Sequence, residues 1–175
     1  MSYETHKAAS GEAAAERGPI RCAVLTISDT RDEASDRSGA LIREMLTGAG
    51  QEVVDYRIVP DDPTRISQIL DELIGRCEVI LSSGGTGISH RDTTVEVVER
   101  KLEKELPGFG ELFRMLSYRE IGAGALLSRA VAGLSRNTLI FAMPGSTNAV
   151  TLALRDLILP EIEHLVWEVV RQQAG

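Results

Sequence analysis

The residue types able to do chemistry in this sequence gather at two aspartates, Asp61 and Asp92, and at three turns, Ser28-Asp29, Ser83-Gly84-Gly85-Thr86-Gly87 and Pro144-Gly145-Ser146. Carboxylate oxygens are the hard ligands that Mg²⁺ takes when it carries nucleotide phosphates. The glycine run lets backbone amides approach a phosphate with no Cβ in the way. Pro144-Gly145-Ser146 offers free amides at a helix start and a hydroxyl, a second place for an anion. Each feature also has a plain structural use. The glycines can form a tight turn, Asp61 can be a turn residue after Pro60, and Asp92 and Ser146 can favour helix starts. The run is not a P-loop, because no Lys-Ser or Lys-Thr follows it, and it does not complete a G-x-G-x-x-G fingerprint. His90 reads as a solvated loop residue, since no Ser or Cys nucleophile spacing accompanies it, while His6 falls in the amino-terminal stretch and His164 on a late helix.

What must position these residues is a set of strands. From Arg21 onward short β-branched runs alternate with helical patterns, the signature of an α/β fold, a three-layer sandwich around a mostly parallel sheet. The strands predicted are 22–27, 53–59, 78–81 and 138–142, and every candidate segment follows the carboxyl end of one of them. In open α/β sheets ligands bind in the crevice at those ends, so the segments are expected to share one cleft. Asp62-Pro63 should cap and start a helix stopped by Gly75. Thr93-Thr94-Val95-Glu96 matches a capping box opening a helix that runs to Leu106, and a short helix is expected over 109–118. The stretch 121–135 is ambiguous, and Pro160 should interrupt the last helical region.

Composition bounds the rest. At 175 residues, 43% apolar and 26% charged, the chain fits a single folded domain over 20–175, preceded by a loose tail over 1–19 that orders only if a partner holds it. No run approaches the roughly 18 apolar residues of a membrane span, and the amino terminus shows no hydrophobic signal core, so a cytoplasmic protein is expected. The net charge of -7 opposes a nucleic-acid surface and means that an anionic ligand must be met locally. Cys22 and Cys77 lie in or beside apolar runs, where buried thiols are the ordinary reading.

Taken in order, Leu25-Thr26-Ile27-Ser28-Asp29, Ser83-Gly84-Gly85-Thr86-Gly87, Arg91-Asp92-Thr93-Thr94, Leu106-Pro107-Gly108-Phe109-Gly110-Glu111, Ser128-Arg129-Ala130 and Met143-Pro144-Gly145-Ser146 resemble the MoaB/MogA family of molybdenum-cofactor biosynthesis proteins. The resemblance spans about Arg21 to Leu165 and is nearer the MoaB branch, through the wording of Phe113-Arg114-Met115-Leu116-Ser117. Val95 stands where the family often has proline. The resemblance implies a molybdopterin-binding fold and a molybdopterin adenylyltransferase, using Mg-ATP and releasing pyrophosphate. It implies that Asp61 and Asp92 are the functional carboxylates and the magnesium ligands. Ser28, Asp29, Ser83, Gly84, Gly85, Thr86, Gly87, Pro144, Gly145 and Ser146 would then bind nucleotide or pterin. It also implies a homotrimer or hexamer and contacts with other proteins of the same pathway. A non-catalytic pterin-binding or scaffold module is the second reading of the same residues.

Overall fold

The computed structural model describes residues 2–171. Six strands form one sheet in the order β2-β1-β3-β6-β5-β4: β1 Arg21–Ile27, β2 Glu52–Val59, β3 Val79–Ser83, β4 Lys104–Glu105, β5 Val131–Ser135 and β6 Thr138–Met143. The first four in that order are mutually parallel, while β5 is antiparallel to β6 and β4 to β5. Alternation along the strands splits the core in two. Cys22, Val24, Val79, Leu81, Phe141 and Met143 pack against helices α2 (Arg37–Gly48), α5 (Pro107–Ile121), α6 (Thr147–Ala153) and α7 (Ile162–Arg171). Ala23, Leu25, Ile27, Ile80 and Ile140 face α3 (Pro63–Leu73) and α4 (Thr94–Lys101). Strands covered on both faces are largely apolar, which is why Val79–Leu81 of β3 and Leu139–Met143 of β6 read as continuous apolar runs.

This arrangement makes a crevice. The turn after β1 leads to α2 on one face, the turn after the adjacent β3 leads to α4 on the other, and ligands in such sheets sit where neighbouring connections diverge. As expected, Asp62 accepts a hydrogen bond from the Arg65 amide and Pro63 opens α3, with Gly75 at φ +87 just past its end. Pro160 separates α6 and a π-helical turn, Leu154–Ile158, from α7. Both thiols are free and buried, and burial pushes Cys22 up to about 12 and Cys77 to about 11, so neither is a nucleophile near neutral pH.

Several expectations are corrected. Residues Tyr3–Arg17, read as part of a loose tail, form a helix, α1, that packs on α7. Its sequence, rich in Ala and Glu, has no apolar stripe to announce it, and it docks through polar side chains instead. The helix begun at Thr94 ends at Lys101, not Leu106, because Lys104–Glu105 turns back to pair with β5 as the sheet's edge. Thr93 stands at the N-cap without making a side-chain capping bond, so the capping-box pattern is present in sequence only. Helix α5 extends to Ile121, and the ambiguous stretch resolves into a 3₁₀ segment, Gly122–Leu127, followed by β5.

Candidate functional site

The turns after β1, β2, β3 and β6 meet on one rim. The Ser28 amide donates to Val59 O at 2.9 Å, and the Asp61 amide donates to Asp29 Oδ1 at 3.1 Å, which ties the first two turns together. The Gly84 amide donates to Met143 O at 3.0 Å, tying the third to the fourth. The glycines are required here by space. Gly84 has φ +97, and a Cβ on it would lie 2.3 Å from Ile27 O. Gly85 has φ +63, where a Cβ would sit 2.2 Å from Thr94 Oγ1 and 3.1 Å from Asp61 Oδ2. A Cβ on Gly87 would fall 2.6 Å from Asp92 Oδ2, and one on Gly145 would fall 3.1 Å from Gly84 Cα. The loop is therefore pressed between the two carboxylates and the turn that opens α6.

The two aspartates are held differently. Asp61 is half-buried and its Oδ1 has no hydrogen-bond partner. Loss of solvent, then the negative charge of Asp92 and that of Asp29, raises its carboxyl above the ordinary range. Asp92 is anchored within its own loop, where Oδ2 accepts from Ser89 Oγ at 2.5 Å and from the Ser89 amide at 3.0 Å. Those bonds, the Ser89 hydroxyl first, hold its carboxyl below the ordinary value despite partial burial. The side-chain oxygens of Ser82, Ser83, Thr93 and Thr94 are also buried without partners beside the glycine turn. A rim with an unpaired carboxylate oxygen and unused hydroxyls is electrostatically unfinished, and buried polar groups are rarely left so.

Comparison with known proteins agrees with the fold and the motifs. The family profile described as "Probable molybdopterin binding domain" matches residues 23–164. This chain belongs to that family. A Halalkalibacterium halodurans relative named molybdenum cofactor biosynthesis protein B is 47% identical over 176 residues, covering 99% of this chain and 100% of the relative. A Bacillus cereus relative of the same name is 50% identical over 158 residues, covering 87% of this chain and 92% of its own length. Among solved structures, the tungsten cofactor synthesizing protein MoaB from Pyrococcus furiosus superposes with TM-score 0.79 at 39% identity, over 86% of this chain and 97% of that one. The molybdopterin-binding fold is thus shared across the described sheet and its flanking helices.

Within this member of the family, the expected residues are distributed as follows. Asp29, Asp61, Asp92, Gly84, Gly85, Gly87, Pro144 and Gly145 lie together on the accessible rim. Ser83 and Thr86 are buried beneath it. Ser28 Oγ accepts from the Thr30 and Arg31 amides, and Ser146 Oγ accepts from the Ala149 amide as the N-cap of α6, so both hydroxyls already serve the backbone and each keeps its proton to donate outward. His90 is exposed on the loop.

Sequence reasoning passed over the cations and the buried acid that complete the family's rim here. Arg31 donates to Gly145 O at 3.3 Å and to Ser38 Oγ at 2.9 Å, bracing the β6 turn. Arg91 pairs with Asp29 at 2.5 Å, and Arg129 donates to Gly87 O at 3.1 Å while pairing with Glu96. Asp36 is fully buried and accepts from Thr26 Oγ1 at 2.6 Å, Tyr56 Oη at 2.7 Å and the Gly39 amide at 3.0 Å. Burial alone would raise its carboxyl, but those bonds and Arg31 hold it below the ordinary value. Each of the three arginines is paired with a carboxylate, Arg31 with Asp36, Arg91 with Asp29 and Arg129 with Glu96, so cations are held in place around the acidic rim. An Asp three residues before Gly39 was a readable helix-cap signal; the arginine contacts span many residues and had none.

Proposed function

We propose that the chain takes part in molybdenum cofactor biosynthesis by transferring AMP from Mg-ATP to the terminal phosphate of molybdopterin, with release of pyrophosphate. The observation that carries this reading is the buried, partnerless Oδ1 of Asp61 facing the charge of Asp92 across a glycine turn. Two carboxylates with oxygen-only donors suit Mg²⁺, which keeps several waters and takes its other ligands from phosphate. Magnesium bound by Asp61 and Asp92 would neutralise charge on the triphosphate and on the departing pyrophosphate.

The remaining roles fall to the chain's own groups. The amides of the glycine turn beyond Gly84, whose own amide is given to Met143 O, cradle a phosphate, and Arg31, Arg91 and Arg129 lie around the rim, each steadied by a carboxylate. Ser28, Asp29 and Ser146 orient the pterin. An oxygen of the pterin phosphate attacks the α-phosphorus of ATP; the new P–O bond forms as the bond to the pyrophosphate bridging oxygen breaks, so no protein nucleophile is needed. The exposed apolar row of Leu112, Met115, Tyr118, Ile121, Leu126 and Leu127 along α5 and the 3₁₀ segment supports assembly into a homotrimer or hexamer.

The test is incubation with Mg-ATP and molybdopterin, followed by detection of adenylylated pterin and pyrophosphate. Equal amounts of both are expected. Pterin binding without AMP incorporation would replace this reading with the non-catalytic module, and ATP affinity without pterin affinity would overturn both.

A further inference from the structure

Helix α1 and helix α7 meet through a cluster that the rim does not use. Among the described residues, His6, His164 and Glu168 are the one group of three metal-ligating side chains whose ligand atoms all lie within 4.8 Å of one another. His164 and Glu168 are four residues apart and therefore share a face of α7. His6 reaches them from α1, its Nδ1 lying 3.1 Å from Glu168 Oε1, while His164 Nε2 lies 3.7 Å from the same oxygen. Around a tetrahedral ion with bonds of about 2.0–2.2 Å, ligand atoms stand roughly 3.3 Å apart; both imidazoles stand near that distance from Glu168, and all three ligand atoms lie within 4.8 Å of one another.

A second observation fixes the direction of one ligand. His164 Nδ1 lies 3.1 Å from Glu161 Oε2. Glu161 Oε1 accepts from Lys7 and Tyr3, whose donor atoms are each 2.5 Å away, which leaves Oε2 for His164. With Nδ1 engaged by Glu161, Nε2 is the His164 nitrogen on the Glu168 side and the one that would ligate. A carboxylate behind an imidazole, with the other nitrogen facing inward, is how proteins orient histidine ligands. The rings of His6 and Trp167 (5.8 Å between centroids, edge-on) and of Tyr3 and His164 (5.7 Å) frame the cluster.

We propose that His6, His164 and Glu168 bind a divalent transition ion of the Zn²⁺ class, which fastens the amino-terminal helix to the last helix. Two imidazoles and a carboxylate favour Zn²⁺, Co²⁺ or Ni²⁺ over Mg²⁺, so this ion differs in kind from the one proposed for the rim. Three protein ligands leave a position for water. Ion binding supplies what α1 lacks, since its docking otherwise rests on partly exposed polar and ring contacts.

The experiment uses the untagged full-length chain, stripped with chelator and titrated with Zn²⁺ and Co²⁺. One equivalent should bind, Co²⁺ should give visible d–d absorption, and Zn²⁺ should slow tryptic cleavage after Lys7 and Arg17, whereas Mg²⁺ should do neither. His6→Ala, which leaves the sheet untouched, and Glu168→Gln should each weaken Zn²⁺ by about a hundredfold and abolish the protection, with the thermal transition of the core unchanged. The proposal is overturned if the wild-type chain shows no saturable binding, if His6→Ala binds as wild type, or if Co²⁺ shows thiolate charge transfer, which would place the ion on Cys22 or Cys77.

Discussion

The rim and the α1–α7 seam both collect acids and bases, but they treat them in opposite ways. At the rim, Asp61 keeps an oxygen unpaired and its carboxyl is raised, first by burial and then by two neighbouring acids. At the seam, burial of Glu161 is outweighed by hydrogen bonds from Lys7, Tyr3 and His164, which draw its carboxyl down to about 2. The difference follows from what carries the residues. The rim groups stand on turns between buried parallel strands, where the surrounding core can hold an unfavourable charge in place. The seam groups hold a helix with no apolar stripe of its own, so the contact rests on polar side chains whose charges are satisfied. Unfinished electrostatics on a rigid scaffold points to an absent ligand, and satisfied electrostatics at a detachable element points first to a structural tie.

Substitutions should separate the two regions. The largest effect is expected for Asp36→Ala, which leaves the Thr26 and Tyr56 hydroxyls unpaired beneath the rim; chemical denaturation should show a loss of about 3 kcal/mol, with α1 still protected from trypsin. Asp92→Asn should lower adenylylation about a hundredfold or more with little change in the thermal midpoint, since its bonds to Ser89 are local. Gly84→Ala should cost about 2 kcal/mol and disturb ATP binding, because the new methyl meets the Ile27 carbonyl; a calorimetric melt checks it.

The smallest effects are in pH dependence, and they have opposite signs. Glu161 has a folded value lowered from 4.5 to about 2, so its contribution is complete above 4.5 and disappears as pH falls through about 2. Hydrogen exchange in α1 should therefore rise across that window before the sheet opens. Asp61 has a raised folded value, so it favours the folded state below its ordinary value of 3.8 and that benefit is lost as pH rises through the raised value. Asp61→Asn should accordingly raise the melting temperature at neutral pH and lose that advantage near pH 3. A neutral-pH decrease would mean that the Asp61 charge is satisfied and the contrast is wrong.

Much of the rim was legible because its information is local. The β-branched runs set the strands, Asp62-Pro63 marked a helix start, and the rule that ligands gather at strand ends brings Asp29, Asp61, the glycine turn and Gly145 together from sequence alone. Helix α1 was not legible, since Tyr3 and Lys7 find their partner in Glu161, just before α7, and His6 finds Glu168 on α7, 154 to 162 positions away. Edge strand β4 is two residues long, too short for an alternation pattern. Arg31 and Arg129 reach backbone carbonyls 114 and 42 residues distant, so only the folded chain shows that they brace the rim.

The most direct measurement of the central claim is calorimetric binding of a non-hydrolysable ATP analogue with and without Mg²⁺, to the wild-type chain and to Asp61→Asn and Asp92→Asn. With Mg²⁺ both variants should bind about tenfold or more weakly, a difference of about 1.4 kcal/mol. Without it they should bind at least as well as wild type, because a repelling charge has been removed. Variants that match wild type in the presence of Mg²⁺, or that bind the metal-free analogue more weakly, would contradict the account.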